Sequence, residues 1–291
     1  MARPKIAGMS NAASLPASRY WADWRTTDFA QLRRLGLAEA TVAVLPVAAT
    51  EQHGPHLPLC VDTALIEGVV AAALPHLPEA LRALFLPTQA VGFSPEHTAF
   101  PGTLSFSAET LLRIWTEIGE AVARTGIRRL LLLNGHGGQV GAMDLVARDL
   151  RARRGLLVVS TSWFALPLPP EVEQRFPPHE HRFGIHAGDV ETSMMLHLRP
   201  GLVRMEAARD FPSTSADRAA RYPVLGNGRS AKFAWQMQDC NPQGAAGNAA
   251  AATADKGAAV VQAAGRQLAL LLQELAALPL STLVAAPDLG G

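Results

Sequence analysis

The chain has 291 residues, 48% of them hydrophobic, which is enough to bury a substantial core. Its formal charge of +1 comes from interspersed acids and bases, which removes any global electrostatic reason to expect nucleic acid as a partner. Two cysteines exclude a disulfide framework and no apolar run is long enough to span a bilayer, so a reduced, cytoplasmic protein without membrane contact is expected.

Residues 1–18 lack the continuous apolar core of a signal peptide. They read as a flexible or assembly arm on a single domain, 1–291, whose core covers about 40–278. The first predicted element is a buried strand over 41–49, a short apolar and β-branched run. Asp62 reads as the N-cap of a helix whose apolar spacing runs from Thr63 to Leu74. Residues 83–88 form a second strand. Ser107 opens an amphipathic helix through Arg124, with Leu111, Ile114, Ile118 and Val122 on one face. A third strand over 128–138 ends in a glycine-rich turn, a helix follows over 139–153, and 155–163 is a fourth strand. The Pro- and charge-rich stretch 164–185 reads as a loop or lid, 186–198 as helical, 209–248 as irregular and 249–278 as a final Ala-rich helix. Strands alternating with helices predict an α/β fold, with a mainly parallel sheet covered by helices on both faces.

Three polar motifs follow strands or open helices, where open parallel sheets place their sites. EQHGPHLPLCVD at 51–62 brings Glu51 and His53 to one side of an extended chain, and Asp62 can return to the same point. Imidazole and carboxylate are the usual ligands of Zn²⁺, Mn²⁺ or Fe²⁺, and a carboxylate such as Asp62 can bridge two ions. NGHGG at 134–138 closes an apolar strand and presents His136. HAGDVETS at 186–193 offers His186 and places Glu191 in a first helical turn. Each motif alone has a plain structural alternative: a helix cap for Asp62, a tight turn around His136, a dipole-stabilising acid for Glu191. Together they supply two histidines and three carboxylates, an adequate inner sphere for two divalent ions. Trp163, at a strand end, suits an aromatic wall for substrate. Glu96 and His97 either contact substrate or order the turn after them. A nucleotide-binding reading of NGHGG finds neither GxGxxG nor GxxxxGK[ST] to support it.

The motifs EQHGPHLPLCVD, EHTAFPGTLS (96–105), NGHGG, HAGDVETS and GxxGNAxxATxxKG (244–257) resemble, in order, those of the creatininase (creatinine amidohydrolase) family. The resemblance implies a three-layer α/β/α sandwich assembled as a homohexamer. It implies two divalent metal ions per chain, Zn first with Mn or Fe as alternatives, held by Glu51, His53, Asp62, His136 and Glu191 with Asp62 bridging. His186 matches the family's catalytic acid/base, with a role orienting Glu191 as its alternative. Creatininase itself has a Glu two residues after the His of NGH, where this chain has Gly138; formamide- and peptide-cleaving relatives share the NGHGG form. The expected function is cleavage of the C–N amide bond of a small, cyclic amide by metal-activated hydroxide. A formamide deformylase or a peptide-cleaving enzyme is the alternative within the family. A metal-binding structural or regulatory protein is the non-enzymatic one.

Overall fold

Every residue of β1 (Val42–Val47) is buried, as suits a strand whose sequence VAVLPV offers water no polar side chain. The structure, a computed structural model, describes residues 15–287 and 289. β1 pairs in parallel with β2 (Ala83–Phe85) on one side and β3 (Arg129–Asn134) on the other, and β3 pairs in parallel with β4 (Leu157–Ser162). The order is therefore β2-β1-β3-β4.

Successive strand side chains point to opposite faces of a sheet, and here both faces are covered. Val42, Val44, Leu131 and Leu133 pack in one layer with residues of α2 (Val61–Ala73), α7 (Asp189–Leu198) and α10 (Ala254–Ala277). Ala43, Leu45, Leu130 and Leu132 pack in the other with residues of α1 (Thr26–Arg34), α3 (Ala108–Arg124) and α4 (Val140–Arg154). The result is the expected three-layer α/β/α sandwich. Arg129 ties the layers together by donating to the carbonyls of Leu275 and Leu278 at 3.1 and 2.9 Å, satisfying groups that a helix end leaves unpaired.

Ser107 caps α3 as expected, its hydroxyl accepting from Thr110 N at 3.2 Å. The buried face of α3 is Leu111, Trp115, Gly119 and Val122, so Trp115 turns Ile114 and Ile118 to the margin. Several expectations need correction. Asp62 is not a cap: it is the second residue of α2, behind Cys60, and its carboxylate turns toward histidines. The core starts before residue 40, because α1 adds Leu32; with only that residue fully buried, its sequence carries little apolar period. Of the expected N-terminal arm, 1–14 lies outside the described residues and 15–18 is docked, with Trp24 Nε1 donating to Ser18 O at 2.8 Å. The 164–185 stretch holds two short helices, α5 (Pro170–Glu173) and α6 (Pro178–Phe183), each opened by proline. His186 forms an isolated bridge with Ala246, Ala187 turns the chain, and α7 begins only at Asp189. The segment read as irregular contains β5 (Asp210–Phe211), α8 (Thr214–Arg221), α9 (Met237–Cys240) and β6 (Gly247–Asn248). Among the described residues no helix is long and apolar enough to cross a membrane.

Candidate metal centre

The chain leaves β1 toward β2 and returns to β3 on the other side of β1. The carboxyl ends of strands at such a reversal form a crevice. Glu51 and His53 follow β1, His136 follows β3, Asp62 lies in the first turn of α2 and Glu191 in that of α7. These five converge. His136 Nδ1 is 3.1 Å from Glu51 Oε1 and 3.5 Å from Asp62 Oδ2, while His53 Nε2 is 3.3 Å from Asp62 Oδ1 and 4.0 Å from Glu191 Oε2. Asp62 thus faces two clusters of donor atoms, one with Glu51 and His136, the other with His53, His186 and Glu191.

Local hydrogen bonds decide which nitrogen each imidazole presents. His53 Nδ1 donates to the Glu51 carbonyl at 3.0 Å, which leaves a lone pair on Nε2 toward Asp62. His136 Nε2 meets Phe93 O and Glu96 Oε1, both at 3.2 Å, so it carries the proton and Nδ1 faces the centre. Asn134 clamps the turn, its Oδ1 accepting from His136 N at 3.0 Å. Glu191 is braced by Ala187 N, which donates to Oε2 at 2.6 Å from a left-handed backbone, φ 54°.

Both Glu51 carboxylate oxygens, His53 Nε2 and Asp62 Oδ2 are buried without a hydrogen-bond partner. Buried ionised groups left unpaired cost several kcal/mol each, on the order of the penalty for desolvating an ion. The atoms approach one another without the alignment of hydrogen bonds, as ligands aimed at a common point do. Carboxylates and neutral imidazoles suit Zn²⁺ or Mn²⁺, so the residues present fit divalent ions. The electrostatics agree. Burial pushes the Glu51 carboxyl up, but His136, His97 and His53 outweigh it and hold the group far below the usual carboxylate range. Burial pushes His53 down, yet Asp62, Glu191 and Glu51 raise it to about 9. His136 is likewise raised, against its burial, by Glu51, Glu96 and Asp62. The cluster demands positive charge.

His186 differs. Its Nε2 donates to Gln52 O at 2.7 Å and its Nδ1 lies 3.9 Å from Glu51 Oε1. Its ring centroid is 4.2 Å from that of His53 and 4.3 Å from that of His97, and burial, followed by those two neighbours, pushes it well below its ordinary value. Burial and the two neighbouring imidazoles thus favour the neutral form of His186. Above the centre lies a cavity of about 520 Å³, walled by Trp163, Phe164, Leu166, Phe176, Ile185 and Trp235. Trp163 stands where an aromatic wall was expected. Glu96 also borders the cavity but is engaged with His136, and His97 turns its Nε2 to Glu51 Oε1 at 3.3 Å. A Cβ on Gly138 would overlap Glu96 Oε1 and crowd His136 Nε2, so the carboxylate beside His136 comes from residue 96, and a side chain at 138 would have to move it. Sequence reading passed over Gln52, the middle of Glu-x-His, whose strand-like alternation marks it as facing away from the ligands. It also missed Trp235, for which the segment 209–248 carries no signal.

Fold and donor set together define an α/β protein with a candidate centre for divalent metal ions at the carboxyl ends of its strands. The family signature described as creatininase, creatinine amidohydrolase, matches residues 24–272, and the chain belongs to the creatininase family. A mycofactocin precursor peptide peptidase of Mycobacterium tuberculosis (strain CDC 1551 / Oshkosh) is 38% identical over 188 residues, covering 62% of this chain and 66% of that protein, just short of two thirds of its length. The creatinine amidohydrolase of Pseudomonas putida is 33% identical, covering 63% of this chain and 74% of that protein. A crystal structure of creatinine amidohydrolase (creatininase) has a TM-score of 0.70 at 28% identity, over 89% of this chain and 99% of that one. Two further creatininase structures, one titled for Mn and one as Zn–Zn type, match at 27% identity over 88% of this chain and 98% of theirs, with TM-scores of 0.68 and 0.67.

Proposed function

We propose that this protein hydrolyses the C–N amide bond of a small molecule, with Glu51, His53, Asp62, His136 and Glu191 holding two divalent ions and Asp62 shared between them. The observation that carries this reading is the set of unpartnered buried donor atoms on Glu51, His53 and Asp62 beneath an apolar cavity. Zn is the first candidate, with Mn and Fe as alternatives. When bound, such ions lower the pKa of a water toward neutrality and polarise a carbonyl oxygen. The protein's own groups do the rest. His186, neutral and with Nδ1 toward the centre, takes the proton that an attacking water gives up and returns it to the departing nitrogen. An amide nitrogen leaves only once protonated, so a proton carrier at this place is a chemical requirement. Glu96 holds His136, and the aromatic wall keeps the amide dry.

A small cyclic amide is the first substrate class, carried by the family resemblance, with Trp163 among the residues that wall the cavity; a formamide is its near alternative. Peptide cleavage is the second reading. It is favoured by a cavity of about 520 Å³, ample for more than a single ring, and by the relative named as a peptide peptidase. A cytoplasmic location, read from the cysteine count, and a homohexamer, which rests on family resemblance alone, belong to the same proposal. The test is kcat/KM for creatinine, other cyclic amides, formamides and dipeptides under one metal condition. Cyclic amides other than creatinine should lead. Dipeptides in front would establish the second reading, and turnover of esters or phosphates alone would end the amidohydrolase assignment.

A further inference from the structure

We propose that Gln52 is a positioning residue whose amide and carbonyl dictate which nitrogen of His97 and of His186 faces the candidate metal centre. Gln52 is buried, between Glu51 and His53 in sequence, and its amide is taken up by Gly54 and His97, so it is not a ligand itself. Its Oε1 accepts from Gly54 N at 3.0 Å. A backbone N–H only donates, so the amide oxygen must occupy that end and the NH₂ group the other. Gln52 Nε2 is 2.7 Å from His97 Nδ1, which therefore accepts. Neutral His97 then carries its proton on Nε2, aimed at Glu51 Oε1 3.3 Å away. The main-chain carbonyl of the same Gln52 takes a hydrogen bond from His186 Nε2 at 2.7 Å, shorter than the 3.3 Å from that nitrogen to Gln52 Nε2. His186 Nε2 is thus the protonated nitrogen, and its lone pair sits on Nδ1, facing the centre.

A single backbone N–H at Gly54 thereby orders, through one amide, which His97 nitrogen bears the proton on the side of the Glu51 carboxylate. With the opposite tautomer, the His97 Nε2 lone pair would face the Glu51 oxygen, two acceptors 3.3 Å apart. The far C-terminal motif makes room for this device. Gly244, at φ +81°, lacks the Cβ that would overlap Gln52 Oε1. The inference rests on the proposed function only in calling the basin a metal centre.

The experiment is long-range ¹H–¹⁵N spectroscopy of the full chain labelled in histidine, first without metal and then with zinc. The expected result is neutral His97 and His186, both protonated on Nε2. Gln52→Leu should scramble or reverse the His97 tautomer and weaken zinc binding by about 10–100-fold, the usual cost of losing a ligand-orienting partner. Gln52→Glu keeps the acceptor for Gly54 but offers His97 no donor, and should place a proton on His97 Nδ1. A wild-type His97 protonated on Nδ1 would overturn the proposal, and so would a Gln52→Leu spectrum with His97 unmoved. If Gln52→Leu fails to fold, the wild-type spectrum and Gln52→Glu still decide. Because tautomers are read without substrate, failure of the amidohydrolase reading would leave this result standing, and the reverse holds too.

Discussion

Asp62 presents one carboxylate oxygen to His53 at 3.3 Å and the other to His136 at 3.5 Å, so its loss should disturb both clusters at once. Elemental analysis of Asp62→Ala is expected to find neither ion, with activity abolished; normal metal content would move the shared position to another residue. His186→Ala is different in kind. It should keep its metals and lose about 10²–10⁴-fold in kcat, the usual contribution of a proton carrier. Metal loss in that variant would instead make His186 a ligand. Gly138→Glu tests how the space beside His136 is used. The new side chain must displace Glu96, so the single variant should bind metal poorly. In a Glu96→Ala background the same change should cost less, with a coupling on the order of 0.5–3 kcal/mol in a double-mutant cycle. Strictly additive losses would show that the two positions do not compete.

Between elements, His56 joins the loop after β1 to α7 and β5. Its Nε2 pairs with Thr192 Oγ1 at 3.0 Å and its ring stacks on Phe211 at 5.4 Å. Burial pushes this imidazole down to about 4, so the folded protein refuses a proton that the unfolded chain accepts near pH 6.5. Above that pH the group contributes no pH dependence. As pH falls from 6.5 toward 4 it favours unfolding progressively, by on the order of 1–2 kcal/mol at pH 5. Urea denaturation of His56→Gln should show lower stability at pH 7 but a shallower decline to pH 5; parallel declines would acquit His56. At this scale the sequence was legible where periodicity is strong. The strand before NGHGG and the helix opened by Ser107 both lie where expected, because an apolar run and a capping hydroxyl are local signals. α1 was invisible because a single buried leucine leaves no period, and the short helices at 170–183 were hidden by the prolines that start them.

Across the whole molecule, the centre draws ligands from the segments after β1 and β3 and from the first turns of α2 and α7, so bound ions should cross-link residues between 51 and 191. An ion at 1,000 times its dissociation constant stabilises the folded state by about 4 kcal/mol. Stripping the metals with a chelator should therefore lower Tm by on the order of 10 °C, and adding zinc back should restore it. Asp62→Ala should show no such shift. A Tm indifferent to chelator in the parent protein would speak against any tightly held ion. The same architecture places the aromatic wall over the centre, since Trp163 directly follows β4 and residues of the 164–185 stretch line the crevice.

What the sequence determined by itself was the set of layers and the chemistry of the three motifs. Alternating strands and helices follow from local apolar patterns, and Glu51, His53, Asp62, His136 and Glu191 announce themselves by residue type after strands or at helix starts. The tertiary structure decided how those residues are used. It filled the space next to Gly138 with the carboxylate of Glu96, kept His186 neutral between two other imidazoles, and turned Gln52 into the partner of His97. It also brought Trp235 to the cavity from a segment without recognisable pattern. These outcomes depend on burial and on distances between groups far apart along the chain, and a one-dimensional spacing contains neither.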